Sequence, residues 1–347
     1  MKAIRIPLKP HMHFHFGEFK IDNNVALSNT SLFAHSDTLF SALVNVYADV
    51  FGNADRFAAD FRDGVLKISS LFYYLKKGDY FVYLLPKPVF LDIFSPRDGN
   101  HKLRNKIKFL SKGVWEKGFV ASDWINGTEY RLIQNQDILF TREEYEKLGL
   151  NEDDSVFTIV DIPKNPIRVK TQGSKNESDE SIYYQSDVEI AEIEGVELGF
   201  YFVFEVVPEF KTEELLKVLN VLSLSGIGGE KTNTGLAMRP PEIVDFILNV
   251  TGESSMLSGF TNISLLNPGD RQDLENVVYS QTVLRGGARY TGNLPLKVVR
   301  MIREGALLKV DSVSGRLVET GMDFQGHAVL RNGKPFVLPI KYISSYE

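Results

Sequence analysis

Three histidines at alternate positions, His11, His13 and His15, are the most metal-like grouping in this 347-residue chain. In an extended strand they would share one face, but residues two apart are separated by about 6.6 Å and the outer pair by about 13 Å. Zinc, with Zn–N bonds of about 2.1 Å, cannot take all three without a bend or bulge. No metal site is therefore expected; a polar strand face, with imidazoles donating to phosphates or stacking on bases, fits better. His35 stands just before Ser36-Asp37-Thr38. A histidine there suits general acid–base chemistry. Against that, Ser36 or Asp37 reads as a helix N-cap worth about 1 kcal/mol, and a helix N-terminus can receive a phosphate. A cap with a phosphate contact through His35 and Ser36 is preferred to catalysis.

Residues 223–241, SLSGIGGEKTNTGLAMRPP, carry Gly226, Gly228, Gly229 and Gly235 with Lys231 between them. The preceding residues 212–222 have leucine and valine at helical spacing after two glutamates, so the glycines follow a helix. Nucleotide loops need the glycines between a strand and a helix, with amides at the helix N-terminus facing the anion. Here the order is reversed, and the spelling matches neither a Walker nor a dinucleotide fingerprint. ATP and NAD are both demoted, and no cofactor is expected. Two readings stay open. Bare amides of Gly226, Gly228 and Gly229, helped by Lys231 and Arg239, would converge on phosphates; alternatively, Gly226 is a helix C-cap leading into a connection.

Residues 97–117 hold seven Lys/Arg and two acids. Lys102, Arg104, Lys106, Lys108 and Lys112 would make sequence-independent phosphate contacts, each steepening the salt dependence of RNA binding. Phe109, Trp115 and Phe119 interleave with them and would stack unpaired bases at about 1–3 kcal/mol each. The competing reading places these rings in the core with the lysines on a solvated hairpin. Arg285, Gly286, Gly287 and Arg289 form a second basic glycine site, which reads equally as a bulged strand edge. Residues 141–161 and 177–196 each hold seven acids, with two bases in the first and none in the second; they are expected to face proteins or solvent.

Composition sets outer bounds. Hydrophobic residues make up 43% and aromatics 12%, enough for buried cores. The chain has no cysteine, which removes disulfides and thiolate metal sites and suits a reducing cytoplasm. No run approaches the ~18 apolar residues of a membrane span and no signal-type run opens the chain. A formal net charge of −6 argues against wholesale coating of nucleic acid.

The elements that must hold these groups follow from periodicity. Residues 2–16 alternate as an opening strand. The segment after Ser36 has a helical stripe that ends before Gly52. A second amphipathic piece spans 55–61, and aromatic strands flank a Lys-Lys-Gly-Asp turn at 76–79. Around Arg168 the pattern is strand, polar loop, strand. Residues 199–207 read as a strand buried on nearly both faces; residues 243–250, 277–284, 298–308 and a last run to 343 read as further strands. The pattern suggests an α+β unit present twice.

Five ordered pieces carry a resemblance: HFHFGEF with HSDTLFSALV (13–44), LRNKIKFLSKGVWEKG (103–118), IRVKTQGSKNESDESIYY (167–184), GIGGEKTNTGLA (226–237), and LRGGARYTG through GHAVLRNGKPFVLP (284–339). In this order they resemble the fourth subunit of type III-A (Csm) CRISPR effector complexes, a group-5 family of the RAMP superfamily. The resemblance implies two ferredoxin-like (RRM-like) domains, 1–195 with a basic hairpin inserted near 95–120 and 196–347 with the glycine-rich loop 223–241. It implies a non-catalytic subunit that caps and holds the 5′ repeat-derived tag of the crRNA. The implied neighbours are the large polymerase/cyclase-like subunit and the backbone RAMP subunit. Thr-Asn-Thr-Gly replaces the family's commoner Ser-Ser-Gly in the loop, with Glu230 before Lys231. Some RAMP relatives process guide RNA, so a metal-independent endoribonuclease using His35 or a strand histidine is the alternative.

Overall fold

The computed structural model describes residues 1–18, 29–94, 96–164, 183–229, 239–287, 296–322 and 326–343. The chain opens with β1 (Lys2–Pro7). The expected strand over 2–16 breaks after it: His11 sits at φ 61°, and β2 (His13–Phe14) joins a different sheet. The helix after His35 is α1 (Ser36–Phe51), closed by Gly52 at φ 73°. There follow α2 (Ala54–Arg62), β3 (Leu66–Ile68), β4 (Phe72–Lys77) and β5 (Tyr80–Pro86). The Lys-Lys-Gly-Asp turn joins β4 to β5 with Gly78 at φ 59°.

The basic segment is not a hairpin. After α3 (Leu91–Phe94) it folds as α4 (His101–Lys106), β6 (Phe109–Ser111) and α5 (Lys112–Lys117). Then come α6 (Asp123–Asn126), β7 (Tyr130–Ile133), β8 (Ile138–Thr141) and α7 (Arg142–Leu148). The start of α7 is locked by a capping box between Thr141 and Glu144. Next are β9 (Phe157–Lys164), β10 (Tyr183–Ile190), β11 (Glu197–Val206), α8 (Thr212–Ser225) and β12 (Glu242–Asp245). The strands expected over 277–284 and 298–308 are each broken. The rest runs β13 (Leu257–Asn262), α9 (Arg271–Glu275), β14 (Val277–Tyr279), β15 (Thr282–Arg285) and β16 (Val299–Ile302). It closes with β17 (Leu307–Leu308), β18 (Arg316–Met322), β19 (Ala328–Gly333) and β20 (Val337–Tyr342).

Within the largest sheet the strands β12-β1-β11-β4 are neighbours, and each pairing is antiparallel. With α1 after β1 and α8 after β11, this is a βαββαβ unit in the strand order 4-1-3-2 of the ferredoxin-like motif. Its two helices lie side by side, with the Tyr47 hydroxyl donating to Glu214 at 3.0 Å. Residues 78–196 are inserted between its second and third strands. The strand order therefore runs across the 195/196 boundary expected from the resemblance: β11, α8 and β12 complete a unit begun by β1. Residues 257–342 supply a separate sheet, β14-β17-β13-β20, two further strand pairs and, among the described residues, the single short helix α9.

The core explains why the parts do not separate. Seven consecutive residues of β11, Leu198 to Glu205's neighbour Phe204, are buried, so this strand is covered on both faces. Gly199 is required there because a Cβ would lie 2.3 Å from the Tyr74 ring. Ile263, Leu307, Leu338 and Ile340 of the C-terminal region belong to the same buried cluster as Ile4, Leu43 and Phe202. Phe109, Trp115 and Phe119 are each 1% exposed. Their expected role in stacking on RNA bases is corrected: they are core, with Trp115 and Phe119 packed edge-on at 5.4 Å between ring centres.

Candidate nucleic-acid interface

The N-terminus of α1 lies buried against the C-terminal region. His35 is the N-cap, with its own carbonyl accepting from Thr38 N–H at 2.9 Å, and its side chain caps nothing. Ser36 and Asp37, expected as the cap, are first-turn residues whose side chains reach across the seam. Ser36 Oγ accepts from Leu265 N–H at 3.0 Å. Asp37 is held bidentately by Arg285, with Nε and Nη2 each at 2.9 Å, and by Arg331 at 2.6 Å. Burial pushes the Asp37 carboxyl up, but the two guanidiniums outweigh it and hold it well below the usual carboxylate range.

His35 is 1% exposed and both of its ring nitrogens have partners. Nδ1 lies 2.9 Å from Glu304 Oε1, and Nε2 lies 3.4 Å from Ser31 Oγ. Ser70 also donates to Glu304. Burial raises the Glu304 carboxyl, and His35 and Ser70 bring it below its ordinary value. The charged side chains Asp37, Arg285, Arg331 and Glu304 thus each have a polar partner in this seam, which buried charge requires, while the Arg331 Nε is left without one. An imidazole so enclosed has no open approach for an RNA ribose, which weighs against the cleavage reading.

The five expected cations of the basic segment divide. Lys102, Lys106 and Lys108 are exposed. Lys112 is half-buried and bonded to Glu116 at 2.7 Å. Arg104 is corrected from a groove cation to an internal tie: it is 1% exposed and held by Asp98 and the Pro96 carbonyl. Likewise Arg285 is 5% exposed and engaged by Asp37, so its expected phosphate contact is replaced by a role in the seam. The Gly286 carbonyl accepts from Arg331 at 2.5 Å, and the Gly287 carbonyl from Leu296 N–H at 2.9 Å. Arg289 and Lys231 lie outside the described residues.

Gly226 ends α8 as a C-cap at φ 74°. The loop then lies on residue 15: Gly229 N–H donates to the His15 carbonyl at 2.9 Å. At Gly228, φ is +95° and a Cβ would stand 2.5 Å from that carbonyl oxygen. Gly228→Ala should therefore lower stability by about 1–3 kcal/mol and displace the loop, read as a lower urea midpoint together with weaker RNA retention. A change within about 0.5 kcal/mol would show that the contact yields.

The three histidines do not act together. His15 is buried, its Nδ1 2.8 Å from the Ser186 carbonyl. His11 and His13 both approach Glu189, His11 at 2.8 Å, and that carboxylate raises the His11 pKa. No group of three metal-capable side chains occurs among the described residues.

Residues 15–18 connect the separate pieces. His15 meets the glycine loop, the Gly17 carbonyl accepts from Arg285 at 3.5 Å, and Glu18 lines a cavity of about 180 Å³. That cavity is also lined by Lys87, by Asn105 and Lys108 of the basic segment, and by Gln281, Arg303 and Glu304. Lys87 Nζ donates to Asp92 at 2.5 Å and to the Arg104 carbonyl at 2.7 Å; burial holds its ammonium below the usual lysine range. Lys87, Ser70, Arg303, Glu304 and Arg331 were not singled out by the sequence reading. No local pattern marks them, because each meets its partners only through the fold.

The fold and interface define a mixed α+β chain built on a βαββαβ unit whose second helix runs into a glycine-rich connection, with a basic segment inserted between its second and third strands. No family model matches it. A Methanocaldococcus jannaschii protein described as CRISPR system Cms protein Csm4 is 24% identical over 98% of this chain and 97% of its own length. A chain of the solved Csm3-Csm4 subcomplex of the type III-A CRISPR-Cas interference complex superposes at TM-score 0.67 with 21% identity. That match covers 98% of this chain and 99% of that one. A chain of the Csm1-Csm4 cassette in complex with pppApA superposes at 0.55 with 16% identity over 99% of each. The chain has the fold of that Csm4 chain. Among the described residues no helix is long and apolar enough to cross a membrane.

Proposed function

We propose that this chain is the Csm4-type subunit of a type III-A CRISPR interference complex. In this reading it holds the 5′ repeat-derived tag of the crRNA and docks a Csm1-type large subunit and a Csm3-type backbone subunit. It performs no chemistry of its own. The observation that carries the RNA assignment is the convergence along residues 15–18. Gly229 N–H meets the His15 carbonyl, the Arg285 side chain reaches the Gly17 carbonyl, and Glu18 lines the same cavity as Asn105 and Lys108 of the basic segment. The cavity beside it is edged by Lys108 and Arg303. Exposed lysines at such a groove supply salt-dependent phosphate contacts without reading sequence. Whole-length similarity to Csm4 supplies the partners, since relatives of this fold occur with Csm3 and with Csm1.

The test is a band-shift measurement with purified protein and labelled RNA carrying an unpaired 5′ tag, with and without EDTA. Retardation of intact RNA, weakened when the tag is removed, is the expected result. Cleavage at a fixed position that disappears in His35→Ala would overturn the non-catalytic reading. If the isolated chain binds nothing, the assay is repeated with its partner subunits, and failure there would remove the tag-holding role.

A further inference from the structure

We propose that Arg331 is a positioning residue for RNA: clamped by Asp37, it turns the 286–287 peptide so that the Gly287 N–H faces outward and takes a phosphate oxygen. The contact belongs to the tag interface proposed above and rests on that reading.

The contacts start from a buried carboxylate. Asp37 lies in the first turn of α1 with no exposed surface, and each guanidinium that pairs with it keeps a further N–H for a backbone carbonyl. Arg331 Nη1 donates to Asp37 at 2.6 Å, and its Nη2 donates to the Gly286 carbonyl at 2.5 Å. Arg285 holds the same carboxylate through Nε and Nη2, and its Nη1 reaches the Gly17 carbonyl at 3.5 Å. One carboxylate therefore fixes, through two arginines, a carbonyl on the 285–287 turn and another on the 15–18 run. Arginine suits this task because its planar fork presents several donors in fixed directions.

The direction of the amide follows from covalent geometry. A trans peptide sets its C=O and N–H on opposite sides, and no cis peptide bond occurs among the described residues. The Gly286 carbonyl points at Arg331, so the Gly287 N–H of the same peptide points away from it. Gly287 is exposed, and its own carbonyl accepts from Leu296 N–H at 2.9 Å, which holds the turn from the other end. A bare amide without a Cβ beside it lets a phosphate oxygen approach closely. At this position a Cβ would also stand 3.3 Å from Arg331 Nη2 and crowd the guanidinium. Arg331 itself is not the phosphate ligand: its side chain is 12% exposed, and Asp37 matches its charge.

The experiment is a double-substitution cycle between Arg331→Met and single methylphosphonate linkages placed along the tag RNA, using the full-length chain below its thermal midpoint. Arg331→Met keeps the unbranched apolar stem and leaves Asp37 paired with Arg285. One linkage is expected at which the neutral substitution weakens wild-type binding about tenfold and leaves binding by the variant nearly unchanged. A merely structural role would weaken the variant equally at every linkage, and that additive result would overturn the assignment. With unmodified RNA the salt slope of the variant should equal that of wild type; a loss of about 0.7 would make Arg331 a direct phosphate ligand and overturn it too. A second measurement needs no variant: in wild-type protein carrying isotope-labelled glycine, the Gly287 amide resonance should move downfield with tag RNA, and a resonance that stays in place sinks the contact. If wild-type protein, alone and with its partner subunits, retains no tag RNA, this contact and the tag reading fall together. If it retains the RNA and the cycle is additive throughout, only the positioning role falls.

Discussion

Asp37→Ala should lower folding stability by about 3–5 kcal/mol, because it leaves two guanidiniums buried without their counter-charge. Arg285 and Arg331 both converge on this one carboxylate from the C-terminal region. Neither can turn to water: their side chains are 7% and 12% exposed. Urea unfolding followed by circular dichroism gives the magnitude, and limited proteolysis shows whether residues 257–342 loosen first. A loss below about 1 kcal/mol would place the pair with ordinary surface ion pairs. Replacing all three residues together by apolar side chains of similar volume should recover most of the loss, since a buried ion cluster gives little over a packed apolar one.

The same cluster sets an acid response, with a definite sign. Asp37 and Glu304 both have carboxyls depressed in the folded chain, despite burial, by Arg285 and Arg331 in one case and His35 in the other. A depressed folded-state value means that the ionised form is favoured by folding. The stabilisation is therefore complete above the unfolded value of about 4 and is lost as pH falls through the folded value. Wild-type stability should fall steeply below about pH 4, and Asp37→Asn, already weakened, should show a shallower decline over that range.

The second large effect is on RNA. Lys106→Glu/Lys108→Glu should reduce affinity for tag RNA at least about tenfold at low salt, and lower the slope of log K against log salt by about 1.4. Each single-strand phosphate contact contributes about 0.7 to that slope. Lys108 is exposed on the groove side of one wall and Lys106 on its far side, so neither is needed for the core. Lys217→Glu on α8 changes the charge in the same direction on the helix layer and serves as the control. An unchanged affinity and slope in the double variant would remove the basic segment from the interface.

What the sequence determined by itself is local. The helical stripe from Leu39 to Tyr47 and the stop at Gly52 produced α1 at nearly its observed limits, and the leucines after Thr212 with Gly226 did the same for α8. The apolar run at 199–207 identified the doubly buried strand β11. These succeed because a repeat of side-chain burial is written into neighbouring residues. The tertiary structure alone decided where that strand goes: β11 lies between β1 and β4, so the βαββαβ unit closes across the 195/196 boundary that the resemblance implied. It also decided which charges meet solvent. Arg285 and Arg331 find Asp37 across 248 and 294 residues, while Arg104, spaced among lysines that stay exposed, is buried against Asp98. A positive charge looks the same in a sequence whether it will be desolvated or not. Its environment exists only after the chain has closed around it, and that closure separates the lysines able to meet an RNA from the arginines that hold the protein together.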